Sequence, residues 1–294
     1  MYKILVLGGE GMLGHMVKRV LSRKENLIVN STHHEELTGS LFFNINDGIA
    51  GLRDIMVEQE SFDYIINCIG ILSSSVNEND PKSVHCAIIV NAVFPHELAI
   101  LAQEVNARVI QISTDAVFAE DAGVCLEDTP CNCNDIYGKT KSLGEVNLPN
   151  YLNLRCSIIG PSPYSYKGLL HWFLSQPKGF TINGYTDQNW TGLTTLQFAK
   201  LCHLLIIDNY FDLVRREAPT HHFCPNQTIS KYELLLLFKD NFRIDLSVKP
   251  KTSRKNAVSR TLDTNYKSIE KIFGYNISMD QAISELAIEM KDQK

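Results

Sequence analysis

A tyrosine and a lysine four residues apart, Tyr137 and Lys141, follow a hydroxyl residue, Thr114, that closes an apolar run. Side chains four residues apart are neighbours on one helix face. A phenol titrates near pH ~10 in water and is a poor proton exchanger at neutral pH unless something stabilises its phenolate, as a nearby ammonium does. Thr114 would then hydrogen-bond a substrate carbonyl while Tyr137 supplies the proton. The spacing alone leaves open an ordinary Tyr and Lys on a solvated helix face. What decides is whether the rest of the chain can place a redox nucleotide beside them.

The N-terminus supplies such a place. An apolar run of strand length, Lys3 to Leu7, leads into Gly8-Gly9-Glu10-Gly11-Met12-Leu13-Gly14 and then into the helical pattern Met16, Val17, Val20, Leu21. A strand, a glycine turn and a helix N-terminus together let backbone approach a diphosphate and favour its charge. The expected contacts are Gly8, Gly11, Met12, Leu13 and Gly14, spaced as G-x-x-G-x-x-G. The second strand, Leu27 to Ser31, ends in Asn30-Ser31-Thr32-His33-His34, with no carboxylate where NAD-selective sites carry one. Ser31, Thr32 and His33 or His34 could meet the extra phosphate of NADP, although each read singly is equally an ordinary loop residue. The run favours NADPH and leaves NADH open.

Further strands read as Leu41 to Ile45, with Asn44 and Ile45 bordering an adenine, and Phe62 to Gly70, where Cys68, Ile69 and Gly70 let a cofactor lie close. A helix over Val84 to Gln103 carries Asn91, an Asn that is ordinarily solvated or core-satisfied in such a helix but that could fix a water or a backbone carbonyl behind the site, which makes it a cofactor-side candidate. The strand Arg108 to Ile112 delivers Ile112, Ser113 and Thr114 to the sheet edge where open parallel sheets bind ligands. Alternation of strands and helices from Lys3 to Glu145 predicts a doubly wound α/β unit with a parallel sheet. Residues 1–157 are expected to form the nucleotide-binding Rossmann domain and 158–294 a smaller, mainly substrate-binding one, with the helix 193–207 returning to the core.

The second part opens with a sixth strand, Leu152 to Pro161, and then becomes rich in Gly, Pro and aromatics, Tyr164, Tyr166, Tyr185 and Trp190 among them. Aromatics on irregular backbone suit a substrate-facing surface. Trp172 and Phe173 read instead as the core of a short helix. A capped helix follows Ile229-Ser230-Lys231. The basic segment Lys249, Lys251, Arg254, Lys255 and Arg260 offers a substrate diphosphate an arginine fork, with Arg260 the first candidate and a solvated basic loop the alternative.

The chain of 294 residues is 44% hydrophobic, enough for a large core, and its net charge of -5 leaves no general basic field for nucleic acid. No apolar run of transmembrane length and no signal-peptide pattern stand out, so a cytoplasmic protein without membrane attachment is expected. Its eight cysteines are then expected as reduced thiols. Cys131-Asn132-Cys133 has the wrong spacing for a zinc knuckle, and no metal site is expected.

These segments, together with Asn67-Cys68-Ile69-Gly70, Val90-Asn91-Ala92, Ser113-Thr114-Asp115-Ala116-Val117-Phe118, Tyr137-Gly138-Lys139-Thr140-Lys141 and Val258-Ser259-Arg260-Thr261-Leu262-Asp263, resemble the extended short-chain dehydrogenases/reductases. Within them the chain is most similar to the dTDP-4-dehydrorhamnose reductase group. The resemblance implies a nucleotide-sugar 4-ketoreductase using NADPH, with Thr114, Tyr137 and Lys141 catalytic. Lys141 would bind the nicotinamide ribose and lower the Tyr137 pKa. Ser113, Asp115, Ala116, Trp190 and Arg260 would lie on the substrate side, and a homodimer is compatible with the likeness. Ala116 replaces the aromatic residue usual in rhamnose reductases, and Asn44 stands where an aspartate is common. Gly168 to Leu174 and Asn183 to Thr186 look more like the branch handling UDP-linked acetamido-deoxyhexuloses. The alternatives are an NADP-binding regulatory subunit and a nucleotide-sugar epimerase or dehydratase.

Overall fold

The computed structural model describes residues 1–34, 40–163, 168–253 and 260–292. Tyr164, Tyr166, Arg254, Lys255, Val258 and Ser259, named above, lie outside the described residues.

Five parallel strands, β1 (Tyr2–Leu7), β2 (Leu27–His33), β3 (Leu41–Phe42), β4 (Tyr64–Asn67) and β5 (Arg108–Thr114), share one sheet with Tyr151–Cys156 and Thr220–His222. Across the sheet they run β3, β2, β1, β4, β5, Tyr151–Cys156, Thr220–His222. The order reverses between β1 and β4, and in open α/β sheets ligands bind outside the carboxyl ends of the strands at such a point.

Helices cover both faces, which is why β1 reads as a continuous apolar run and not an alternating one. Ile4 and Val6 pack into one core with Met16, Val17 and Phe198, while Leu5 and Leu7 pack into a second with Leu52, Phe94 and Leu98. At the end of β1 the chain turns through Gly8, whose φ is +76°, and the helix Gly14–Ser22 starts against that turn. A Cβ on Gly14 would lie 2.1 Å from the Gly8 carbonyl oxygen, so only glycine lets the helix begin there.

The chain returns to this layer after residue 157. A capping box, Thr194 with Gln197, starts the helix Thr195–Ile207, which shares a core with the helix Gly14–Ser22. The strand Thr220–His222 completes the main sheet, a placement the sequence reading did not foresee. The remaining strands form separate two-stranded pairs, and Arg260–Leu262 on Gly123–Cys125 brings the far end of the chain beside the loop that follows β5.

Strand limits differ where side chains take over from the ladder. The third strand shrinks to Leu41–Phe42 because Asn44 caps a 3-10 turn, accepting from the Asn46 amide at 3.0 Å. The sixth breaks at Ser157, beyond which Ile158–Ile159 pairs instead with Leu193–Thr194. In the helix Leu169–Leu174, Phe173 is fully buried but Trp172 is 42% exposed, so only one of the two is core.

One helix, Pro81–Glu104, is long and apolar enough by length and composition to cross a membrane, with a mean hydropathy of 1.6. The sequence reading had found no such run. Half of it is buried in this fold, and its middle turn, Ile89–Val93, is a π-helical widening that carries Asn91 toward the carboxyl end of β4.

Candidate active site

Two recesses open at the carboxyl ends of the strands and share Gly11, Cys68, Ile69 and Gly70. The first, about 400 Å³, is lined by Met12, Leu13, Ile112, Ser113, Thr114, Tyr137 and Lys141 among others. The second, about 460 Å³, is lined by Gly8, Glu10, Thr32, His33, His34, Phe43, Asn44 and Ile45. Together they form a groove floored by the glycine turn. Its shape and its glycine cradle fit a dinucleotide laid across the sheet, with the diphosphate over the turn.

The reacting end is assembled from a strand end and one helix. Asp135 caps the helix Ile136–Leu143 by accepting from the Gly138 amide at 2.8 Å, which sets where Tyr137 leaves the backbone. Gly138 lets this helix dock on the turn after β5, since a Cβ there would sit 2.1 Å from the Ala116 carbonyl oxygen. One helical turn on, Lys141 reaches back and its Nζ donates to the Ile112 carbonyl at 2.8 Å. Thr114 accepts from the Ala116 amide at 3.1 Å, donates to Asp115 Oδ1 at 3.2 Å and is hydrogen-bonded to Tyr137. Thr114, Tyr137 and Lys141 therefore face one space.

Their protonation differs from the sequence expectation. Burial pushes the Tyr137 phenol up to about 12, only partly opposed by the bond to Thr114. The expectation that Lys141 makes this phenol acidic is not met: burial dominates, and the Lys141 ammonium donates to the Ile112 carbonyl instead. Burial lowers Lys141 itself to about 8, against the pull of Glu145, Cys156 and Cys68 toward the charged form. At neutral pH the pair is a neutral phenol beside an ammonium.

The adenosine end corrects the reading of β2. This strand runs to His33, so Ser31 lies buried behind the recess, its hydroxyl 3.0 Å from His33 Nε2. His33 is buried too, and its Nδ1 lies 2.8 Å from Glu10 Oε1, while His34 Nδ1 lies 2.6 Å from Glu10 Oε2. The end of β2 carries no carboxylate in sequence, yet the glycine turn supplies one in space. Thr32 lines the recess but accepts from the Gly8 amide at 3.2 Å.

Several other candidates stand behind the site or beside it. Asn91 lines neither recess; its amide pairs with both backbone groups of Ile71, at 2.9 and 3.0 Å, and donates to Thr140 at 3.3 Å, fixing the segment after Gly70. Gly14 serves the turn and not the recess. Asp115 and Arg260 bind each other at 3.3 Å, and Arg260 also donates to the Phe118 carbonyl at 2.9 Å, so this guanidinium is committed to the loop after β5 and lines neither recess. Trp190 is also off the recess and donates to Ser157, a lining residue, at 2.8 Å. Ala116 contributes backbone only. The sequence reading missed Cys156, Ser157, Ile158, Ser162 and Gly168 as lining residues, since they come from the strand switch at Ser157 and the turn beyond it. Among the described residues no cluster of three His, Cys, Asp or Glu could hold a metal.

The fold and the groove define a Rossmann-type α/β protein. The chain belongs to the RmlD substrate binding domain family, whose model matches residues 2–261. It is 30% identical to the dTDP-4-dehydrorhamnose reductase of Salmonella typhimurium over 56% of this chain and 52% of that one. It is also 30% identical to the probable low-salt glycan biosynthesis reductase Agl14 of Haloferax volcanii, over 63% and 64% respectively. These matches thus span between half and two thirds of the relatives' lengths. The dTDP-4-dehydrorhamnose reductase of Bacillus anthracis, solved in complex with NADP, superimposes with a TM-score of 0.74 at 18% identity, covering 98% of this chain and 99% of that one.

Proposed function

We propose that the protein is an oxidoreductase that uses NADPH, with NADH as a second donor, to reduce the C4 ketone of a nucleotide-activated 4-keto-6-deoxyhexose in deoxysugar or surface-glycan biosynthesis. The observation that carries this reading is the convergence of Thr114, Tyr137 and Lys141 on a recess continuous with the glycine-floored groove. A bound nicotinamide supplies hydride to the carbonyl carbon. Tyr137 gives its proton to the carbonyl oxygen as charge develops there, and its phenol, held at about 12, keeps that proton at neutral pH, the state a reduction needs. Thr114 turns its hydroxyl from Asp115 to the same oxygen. Lys141, charged below about pH 8, would hold the nicotinamide ribose by its hydroxyls.

The groove residues named above hold the nucleotide, and the chain beyond residue 157 contributes the sugar-facing rim. The finer reading, a UDP-2-acetamido-2,6-dideoxyhexulose as substrate, rests on the likeness of 168–174 and 183–186 to that branch; Gly168 borders the recess. A cytoplasmic location and a homodimer are part of the same proposal. The test is a panel of dTDP-, UDP- and GDP-linked 4-keto-6-deoxy sugars with NADPH and NADH, followed at the nicotinamide absorbance with products identified by NMR. No oxidation with any member would reject the reductase. Tightly retained nucleotide with no net oxidation would point to an epimerase or dehydratase instead.

A further inference from the structure

Below the reacting end lies a buried ion pair. Glu145 lies just past the helix Ile136–Leu143, four residues after Lys141 and beyond the Gly144 cap, and Arg155 projects from the neighbouring strand Tyr151–Cys156. Their side chains are only 10% and 7% exposed. Arg155 grips the carboxylate with two parallel bonds of 2.7 Å, Nε to Oε1 and Nη2 to Oε2. The Arg155 Nη1 group lies 3.4 Å from both the Glu127 carbonyl and His222 Nε2, and its guanidinium sits 5.1 Å from the Phe118 ring centroid. This charge is therefore held on several sides and cannot swing away.

The carboxylate has a second partner. Ser113 donates to Glu145 Oε1 at 2.6 Å, and the residue before it, Ile112, is the one whose carbonyl accepts from Lys141. Glu145 thus pins the strand end at Ser113 while Lys141 grips the same strand end one residue earlier. A pair of ordinary structural value would tie the helix end to the sheet anywhere along it. This one fastens Ser113, the residue of β5 that lies between Thr114 and the Ile112 carbonyl gripped by Lys141. We propose that Glu145, locked by Arg155 and Ser113, is a positioning residue that fixes the Lys141 grip on the Ile112 carbonyl and supplies the counter-charge for its ammonium.

The titratable groups facing Lys141 are Glu145 from its own segment, Cys68 after β4 and Cys156 on the neighbouring strand; both thiols are pushed up by burial and stay neutral, so Glu145 is the one fixed negative charge among them. Losing it removes the main support for the ammonium. The proposal rests on the reductase reading only for its purpose; its test does not need substrate. Protein carrying 13C at the lysine ε carbon is titrated by NMR, with the Lys141 resonance assigned by its loss in Lys141→Arg. The expected result is a midpoint near 8 in the unaltered protein that moves down by about one pH unit, a tenfold loss of proton affinity, in Glu145→Gln.

An unpaired Arg155 could unfold that variant, so Glu145→Gln combined with Arg155→Met is titrated beside it and is expected to shift the midpoint the same way. Ser113→Ala, which leaves the ion pair whole, should move it far less. An unchanged midpoint in whichever Glu145 variant folds overturns the proposal. Failure of the reductase reading would show separately, as absence of NADPH oxidation by the unaltered protein.

Discussion

The two ends of the groove are built on different plans. The reacting end draws its working side chains from one strand end and the helix that docks on it, with Thr114, Tyr137 and Lys141 inside a single stretch of chain. The adenosine end is a meeting of separate pieces: Glu10 from the glycine turn, Thr32 and His33 from β2, His34 just past it, and Phe43 to Ile45 from the segment after β3. Chemistry that depends on tight relative geometry sits on one short unit. Recognition, where each contact adds a modest increment, is spread over many.

This contrast predicts separable losses. Tyr137→Phe removes the proton donor while leaving the groove intact, and turnover should drop by on the order of 10² to 10⁴ with NADPH binding unchanged. Steady-state rates beside a fluorescence titration of NADPH decide it. Near-normal turnover would refute the role of the phenol. Gly14→Ala attacks both ends at once, because the added Cβ would meet the Gly8 carbonyl oxygen at 2.1 Å and the glycine turn must shift. A cost of about 1–3 kcal/mol, visible as a lower midpoint of thermal unfolding, should accompany weaker binding of both nucleotides. Wild-type stability with wild-type binding would show that the turn is not the shared floor of the two recesses.

A pH test sharpens the reacting end. Lys141 has a folded-state pKa of about 8, below its ordinary value, so the folded protein sheds this proton before the unfolded chain does. Stability should therefore rise as pH climbs above about 8 toward the unfolded value, because the unfolded state then binds more protons. Turnover should fall over the same range as the ammonium is lost. Thermal midpoints of the unaltered protein and Lys141→Met across this window check the first trend, since the variant should lack the rise. A parallel rise in turnover would contradict the ammonium's part in the reaction.

The same contrast explains what could be read from residues alone. Strands buried on both faces, such as Ile4 to Leu7, and an i, i+4 pair on a helix are local patterns; the doubly wound sheet follows from them, and so does the choice of Thr114, Tyr137 and Lys141 as candidates, which the fold brings to one recess. The charge states did not follow. Whether an ammonium lowers a neighbour's pKa depends on what else it binds, and the Ile112 carbonyl lies 29 residues before Lys141 in the chain. Arg260 was a sound guess by residue type, but the strand pairing that folds it onto Asp115 joins residues more than a hundred apart. Glu145 lies past the helix end and carried no signal in spacing; only the fold shows Arg155 and Ser113 meeting it.

Glu10 is the clearest case of a group that only folding reveals, and it yields the subtlest prediction. The nucleotides differ by a phosphate on the adenosine ribose, and the fold sets a carboxylate at the rim of the recess proposed to take that ribose, within 2.6 to 2.8 Å of two imidazoles. A negative charge there disfavours the phosphate and can accept from a free hydroxyl, so it holds down a preference for NADPH that the hydroxyls and imidazoles otherwise promote. Glu10→Gln keeps the side chain's length and a hydrogen-bond acceptor but removes the charge. The ratio of NADH to NADPH dissociation constants should then move toward NADPH by about fivefold, on the order of 1 kcal/mol for a partly screened pair. The shift should shrink as salt is added, since part of the field passes through solvent. A ratio that does not move, or that moves equally at every salt concentration, would mean that the carboxylate serves only to hold the two histidines and that selection lies elsewhere along β2.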